Sequence, residues 1–183
     1  MRRILVVIAL LIVSLIINSC NIFEPNRFFP IEKGTFEARV EGDSTKIFRG
    51  SAVLEDLQGM IKDGYMRLDF EETTAPHQTQ HHIIIRIFYR KSLSPGTYKI
   101  ETSHSVPLGQ SLIIAQYSGG GYTTYHSTNG SLNISYAKNS EYKGRFKFSA
   151  TGLILKTVND RPVHNEVQVT VSGVFDTKSS REF

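Results

Sequence analysis

From Gly34 onward, apolar and polar residues alternate with a period of two in segment after segment, and this rhythm constrains the fold more than any other feature of the chain. Successive side chains of a strand point to opposite faces, so such a run marks a strand with one buried and one wet side. Phe36, Ala38 and Val40 alternate with Glu37, Arg39 and Glu41, and Met66, Leu68 and Phe70 with Arg67, Asp69 and Glu71. Leu132, Ile134 and Tyr136 follow the same rule, as do Phe146, Phe148 and Ala150. Val167, Val169 and Val171 open a last strand that continues through Phe175. Ile83 to Phe88 and Leu112 to Ala115 are more continuously apolar and suit central strands. Turn signals stand between the runs: Lys62-Asp63-Gly64, Ser94-Pro95-Gly96, Ser118 to Gly121, Asn129-Gly130, and Asn159 to Pro162. One stretch departs from the pattern, because Val53, Leu54, Leu57, Met60 and Ile61 have helical spacing, with Gly59 against it. The expected fold is all-β and mostly antiparallel, a β-sandwich or partly open barrel of about 8–10 strands with at most one short helix.

The first residues obey a different rule. Met1-Arg2-Arg3 is a short positive end, followed by an apolar run from Ile4 to Ile17 broken only by Ser14, and then by Asn18-Ser19-Cys20. As a helix that run rises only about 21 Å, short of the ~30 Å hydrocarbon core, so it reads as a cleaved secretory signal covering residues 1–19. Cys20 is the only cysteine in the chain and lies directly after the boundary, which excludes an internal disulfide framework and a thiolate-rich zinc site. Residues 20–33, with Pro25 and Pro30 among Glu24, Asn26 and Arg27, read as a tether, and 34–183 as a single domain, expected as a β-sandwich. Without Arg2 and Arg3 the chain carries 19 basic and 17 acidic side chains in scattered order. No basic stripe marks a nucleic-acid partner.

Ile17-Asn18-Ser19-Cys20 resembles the lipobox of a bacterial lipoprotein, with Asn18 where Ala, Ser or Thr is more usual. The resemblance implies that Cys20 accepts diacylglycerol and an N-terminal acyl chain, palmitate among the candidates. Two or three chains hold a protein on a bilayer far better than one. Asn21 rather than Asp follows the cysteine, so the expected compartment is the outer membrane of a Gram-negative cell. Further along, Phe36-Glu37-Ala38, Pro95-Gly96-Thr97-Tyr98, Asn129-Gly130-Ser131-Leu132, Gly144-Arg145-Phe146-Lys147-Phe148 and Gly173-Val174-Phe175 succeed one another. In that order they resemble a family of small Bacteroidota-type lipoproteins carrying a domain of unknown function. The likeness spans about Phe36 to Asp176 and implies compartment and fold, not chemistry.

Reactive constellations are hard to find. His77, His81 and His82 cluster, but alternation sends His81 and His82 to opposite faces of a strand, and no carboxylate at ligand spacing completes a metal set. Ser103-His104-Ser105 are neighbours in sequence only, and Gly-x-Ser-x-Gly is absent. Asp69, Glu71 and Glu72 gather on the polar side of a strand, and Gly119-Gly120-Gly121 lacks the Lys-Ser/Thr of a phosphate loop. Neither a cofactor nor a metal is expected, and no catalytic residue. One region stands out: Tyr117, Tyr122 and Tyr125 flank the glycines, with His126 beside them, as a candidate ligand-binding patch.

The function expected from the sequence is therefore a lipid-anchored, non-enzymatic envelope protein that binds a glycan or a protein. It meets the membrane through lipid on Cys20 at the periplasmic face or the cell surface. The alternatives are a structural subunit of an envelope assembly, or a hydrolase of envelope polymers using Asp69, Glu71 or His82.

Overall fold

The computed structural model describes residues 33–56, 65–72, 81–88, 92–102, 112–119, 123–158 and 161–179. The segments expected as leader and tether up to residue 32, with Cys20, His77, His104 and Tyr122, lie outside them. The strands are β1 (Thr35–Glu41), β2 (Thr45–Asp56), β3 (Tyr65–Glu72), β4 (His82–Phe88) and β5 (Gly96–Ile100). They continue with β6 (Leu112–Gly119), β7 (Thr123–Lys138), β8 (Glu141–Val158), β9 (Arg161–Asp176) and β10 (Lys178–Ser179). The wall runs β1-β2-β3-β4-β6-β7-β8-β9, all antiparallel, and β1 pairs with β9 as well as β2, which closes it into an eight-stranded barrel. Of the two expected architectures, the pairing describes the barrel.

Eight strands leave an interior just wide enough for side chains to fill. Phe36, Phe70, Phe148 and Phe175, with Leu68, Ile83, Ile85, Ile87 and Leu132, are at most 1–2% exposed and form that filling. All but the three isoleucines of β4 come from the apolar phase of an alternating run. Two cross-strand pairs fit the largest rings together: Gly144 faces Phe175, and Phe146 faces Gly173, across β8 and β9. A methyl group on Gly173 would lie 2.5 Å from Phe146 Cζ, so each Gly-x-Phe segment supplies the ring for which the other leaves room.

Several expectations need correction. Val53 and Leu54 belong to β2, while Leu57, Met60 and Ile61 lie outside the described residues. Ile83 to Phe88 and Leu112 to Ala115 fall in β4 and β6, each paired on both edges as expected of central strands. β4 alternates between buried Ile83, Ile85, Ile87 and half-buried Ile84, Arg86, Phe88. Ile114 is 5% exposed without joining the interior cluster, and Glu101 bridges to it. Asn129-Gly130 is not a turn but the interior of β7, where Gly130 lies against Phe148. The tight turn is Asn139-Ser140, with φ of 53° and 61°, between paired Lys138 and Glu141. Tyr136 leaves the inward phase because the β7–β8 register shifts between Ile134 and Tyr136.

β7 is long enough to serve two neighbours on one edge. Its beginning pairs with β6, from Gln116↔His126 to Gly119↔Thr123, and its later part with β5, from Ile100↔Gly130 to Gly96↔Ile134. Fully buried Ser127 sits at the fork, its Oγ accepting from the Ala115 N–H (3.0 Å) and donating to the Glu101 carbonyl (2.7 Å).

Candidate functional site

At the rim where β1 turns into β2 and β6 ends, a group of aromatic rings packs among the aliphatic chains of the interior. Phe48 of β2 stacks on His81, just before β4, with centroids 4.7 Å apart. His81 stacks on Tyr117 of β6 (5.8 Å, 4° between planes), and Tyr117 on Tyr125 of β7 (5.5 Å). The four rings make a continuous row just inside the barrel mouth. Tyr117 and Tyr125 are direct cross-strand partners, which is why two tyrosines eight residues apart in sequence share one face.

Two glycines shape the row. Gly119 follows Tyr117 on the same face, and a methyl group there would collide with the Tyr117 hydroxyl and come within 2.7 Å of His81 Nδ1. Gly152 of β8 lies beneath Tyr125, whose ring would be 2.8 Å from an added Cβ. The phenol of Tyr117 and Nδ1 of His81 are 2.6 Å apart, and the shared proton sits on one or the other according to the imidazole tautomer. The His81 N–H donates to Glu72 Oε2 (3.0 Å) and the Glu72 N–H to the His81 carbonyl (2.9 Å), so β3 fixes the histidine's backbone.

Burial keeps both partners uncharged. It pushes the Tyr117 phenol well above its ordinary value, helped by Tyr125 and the Glu72 carboxylate. Burial also lowers His81, and the Lys46 ammonium adds to the effect against an opposing pull from Glu72. The hydrogen bond between the neutral phenol and imidazole fixes the orientation of both rings. In front of the row opens a cleft of about 200 Å³, lined by Val40, Lys46, Tyr125, Val167 and Val169, with Asp43 and Ser44 at its edge. Tyr117 and His81 are buried behind it, so half-buried Tyr125 presents the accessible ring.

The four residues singled out from sequence are thus divided. Tyr117 and Tyr125 face the cleft, Tyr122 lies outside the described residues, and His126 faces the other side of β7. There its Nδ1 accepts from Gln116 Nε2 at 2.9 Å, at the edge of a broader groove that includes Thr124, Thr151 and Leu153. Sequence reasoning missed His81 as a site residue, although its inward phase relative to His82 was readable. It missed Lys46 and Gly119 as well. The outer face also holds the residues considered for catalysis. His82 Nε2 donates to Asp69, which Arg67 also engages, while Glu71 is exposed. Burial alone would raise the Asp69 carboxyl, but the hydrogen bond and charge of His82, with Arg67, more than offset it and hold the group below the usual range. A guanidinium already seated on that carboxylate opposes a cation there. The chain matches no protein-family model, and no curated protein and no solved structure matches it.

Proposed function

We propose that the chain is a lipid-anchored envelope protein whose barrel is a non-catalytic binding module, taking one ring of a glycan at the mouth cleft. The observation that carries this reading is the half-buried Tyr125 ring, backed by Tyr117 and facing a cleft with Lys46, Asp43 and Ser44 at its edge. A fixed aromatic face bordered by hydrogen-bonding groups is the chemistry that suits a sugar ring, apolar on its face and polar around its edge. The size agrees. At about 200 Å³ the cleft is smaller than the roughly 300–1,000 Å³ of sites for drug-sized ligands, so it admits one ring and not an extended polymer.

The anchor rests on the leader and on Cys20, and outer-membrane residence on Asn21. The test of the binding reading uses the detergent-solubilised full chain, titrated with monosaccharides and short envelope glycans while tyrosine fluorescence is followed; there is no tryptophan to mask the signal. Tyr125→Ala is expected to weaken binding at least about tenfold, a loss of ~1.4 kcal/mol, with His126→Ala close to wild type. Equal loss in both variants would move the site to the outer groove. For the anchor, Cys20→Ala should shift the protein from the membrane fraction to the soluble one.

A further inference from the structure

β8 and β9 outgrow the barrel. Their pairing runs from Lys143↔Asp176 out to Val158↔Arg161, whereas β1 accompanies β9 only as far as Glu41↔Thr170 and β7 accompanies β8 only to His126↔Thr151. Beyond those points a two-stranded ribbon projects past the mouth. Among the described residues no strand pairs with the outer edge of β9 between Val163 and Gln168, and Val163, His164, Glu166 and Gln168 are exposed. A two-stranded ribbon is marginal by itself in water, and an open edge offers unpaired N–H and C=O groups to another strand.

The sequence of that edge indicates which strand. Val163-His164-Asn165-Glu166-Val167 is complementary to its own reverse. Laid antiparallel against a second copy and centred on Asn165, it sets Val163 opposite Val167, His164 opposite Glu166, and Asn165 opposite Asn165. Alternation then sorts the faces. Val163, Asn165 and Val167 share the phase of Val169, which lines the cleft, while His164, Glu166 and Gln168 share the outer phase. Each half of the pairing would cover Val163, 40% exposed in the single chain, with a valine, and would give each glutamate a histidine donor. Pro162, which has no N–H to give, marks where the ladder stops.

We infer that this chain forms a two-fold symmetric dimer by antiparallel pairing of β9 with β9 of a second copy, in the register centred on Asn165. The result is a four-stranded ribbon, β8-β9-β9-β8, that joins two barrels mouth toward mouth.

The test has two parts, both with the detergent-solubilised full chain. Light scattering after size exclusion should give a dimer. Glu166→His and His164→Glu should each raise its dissociation constant roughly 5- to 10-fold, while the double variant restores it by exchanging the two partners. Register is read by cysteine capture, with the wild-type chain and its Cys20 as background. Asn165→Cys alone should form a covalent dimer on mild oxidation. His164→Cys and Glu166→Cys should crosslink better when mixed than either does alone, since Cα atoms of facing strands lie within disulfide reach. A monomer at the highest concentration reached, a dimer indifferent to these changes, or an Asn165→Cys yield no higher than background would each overturn the inference. None of these readouts involves Tyr125 or a glycan, so the dimer and the binding reading stand or fall separately.

Discussion

Gly119 and Tyr117 show how little sequence distance the mouth needs and how much structure it uses. The two lie on the same face because strands repeat every two residues, and the glycine's missing side chain is the space the phenol occupies. That relation was readable from Tyr117-Ser118-Gly119. The partner was not, since His81 is 36 residues away and reaches Tyr117 only because β4 and β6 are neighbours. Their neutrality makes stability depend on pH at both ends. Tyr117 has a folded value raised above its ordinary 10.0, so its contribution is complete below pH 10 and falls away as pH rises beyond it. His81 has a folded value lowered below 6.5, so its contribution is complete above pH 6.5 and declines as pH falls from there. Thermal melts across pH should therefore show a plateau between about 6.5 and 10. Tyr117→Phe should flatten the alkaline limb and His81→Gln the acidic one. Each ~1 kcal/mol lost corresponds to roughly 2–4 °C in Tm for a domain of this size. Limbs unchanged by both substitutions would place the titrating groups elsewhere.

Strand phases were the most legible level: β1, β3, β8 and, from Val169 onward, β9 bury the residues that the period of two selects, while Val167 is half-buried. Turn chemistry was less so. Asn129-Gly130 has the composition of a hairpin turn but serves packing, because Phe148 needs a neighbour without a side chain and β7 runs straight through it. The real turn at Asn139-Ser140 lacks glycine and gave no signal. Both of its residues have positive φ, the two-residue geometry that Asn-Gly adopts with least strain. Ser140→Gly is therefore expected to stabilise the protein by ~0.5–1 kcal/mol, read as a higher denaturant midpoint with an unchanged slope. No gain would mean that the serine makes a compensating interaction. The Gly-x-Phe repeats were legible as sequence but not as a device. That two of them interlock is a property of the β8–β9 register, which no single strand contains.

Closure belongs to the molecule as one object, and composition could not distinguish a barrel from two packed sheets. What decides it is that β1 has partners on both edges, one next to it in sequence and the other at the far end of the chain. The two ends meet at the rim opposite the cleft. The Gly34 N–H donates to the Asp176 carbonyl at 2.6 Å, and an added Cβ on Gly34 would touch the Lys178 side chain at 3.1 Å. The cleft therefore opens at the rim opposite Gly34 and Asp176. Adjacent ends have a further consequence, for the order of events in folding. The β1–β9 ladder closes the longest loop among the described strand pairings, and such closures slow folding through chain entropy. A circular permutant that joins Lys178 to Gly34 by a short linker and opens at Asn139-Ser140 turns this ladder into a hairpin and makes β7–β8 the distant pair. Refolding followed by stopped-flow should then be faster than in the natural order if β1 docking on β9 limits the rate, and slower if the β7–β8 hairpin is the nucleus. The seam at which this barrel is last fastened can thus be found by moving the place where the chain is cut.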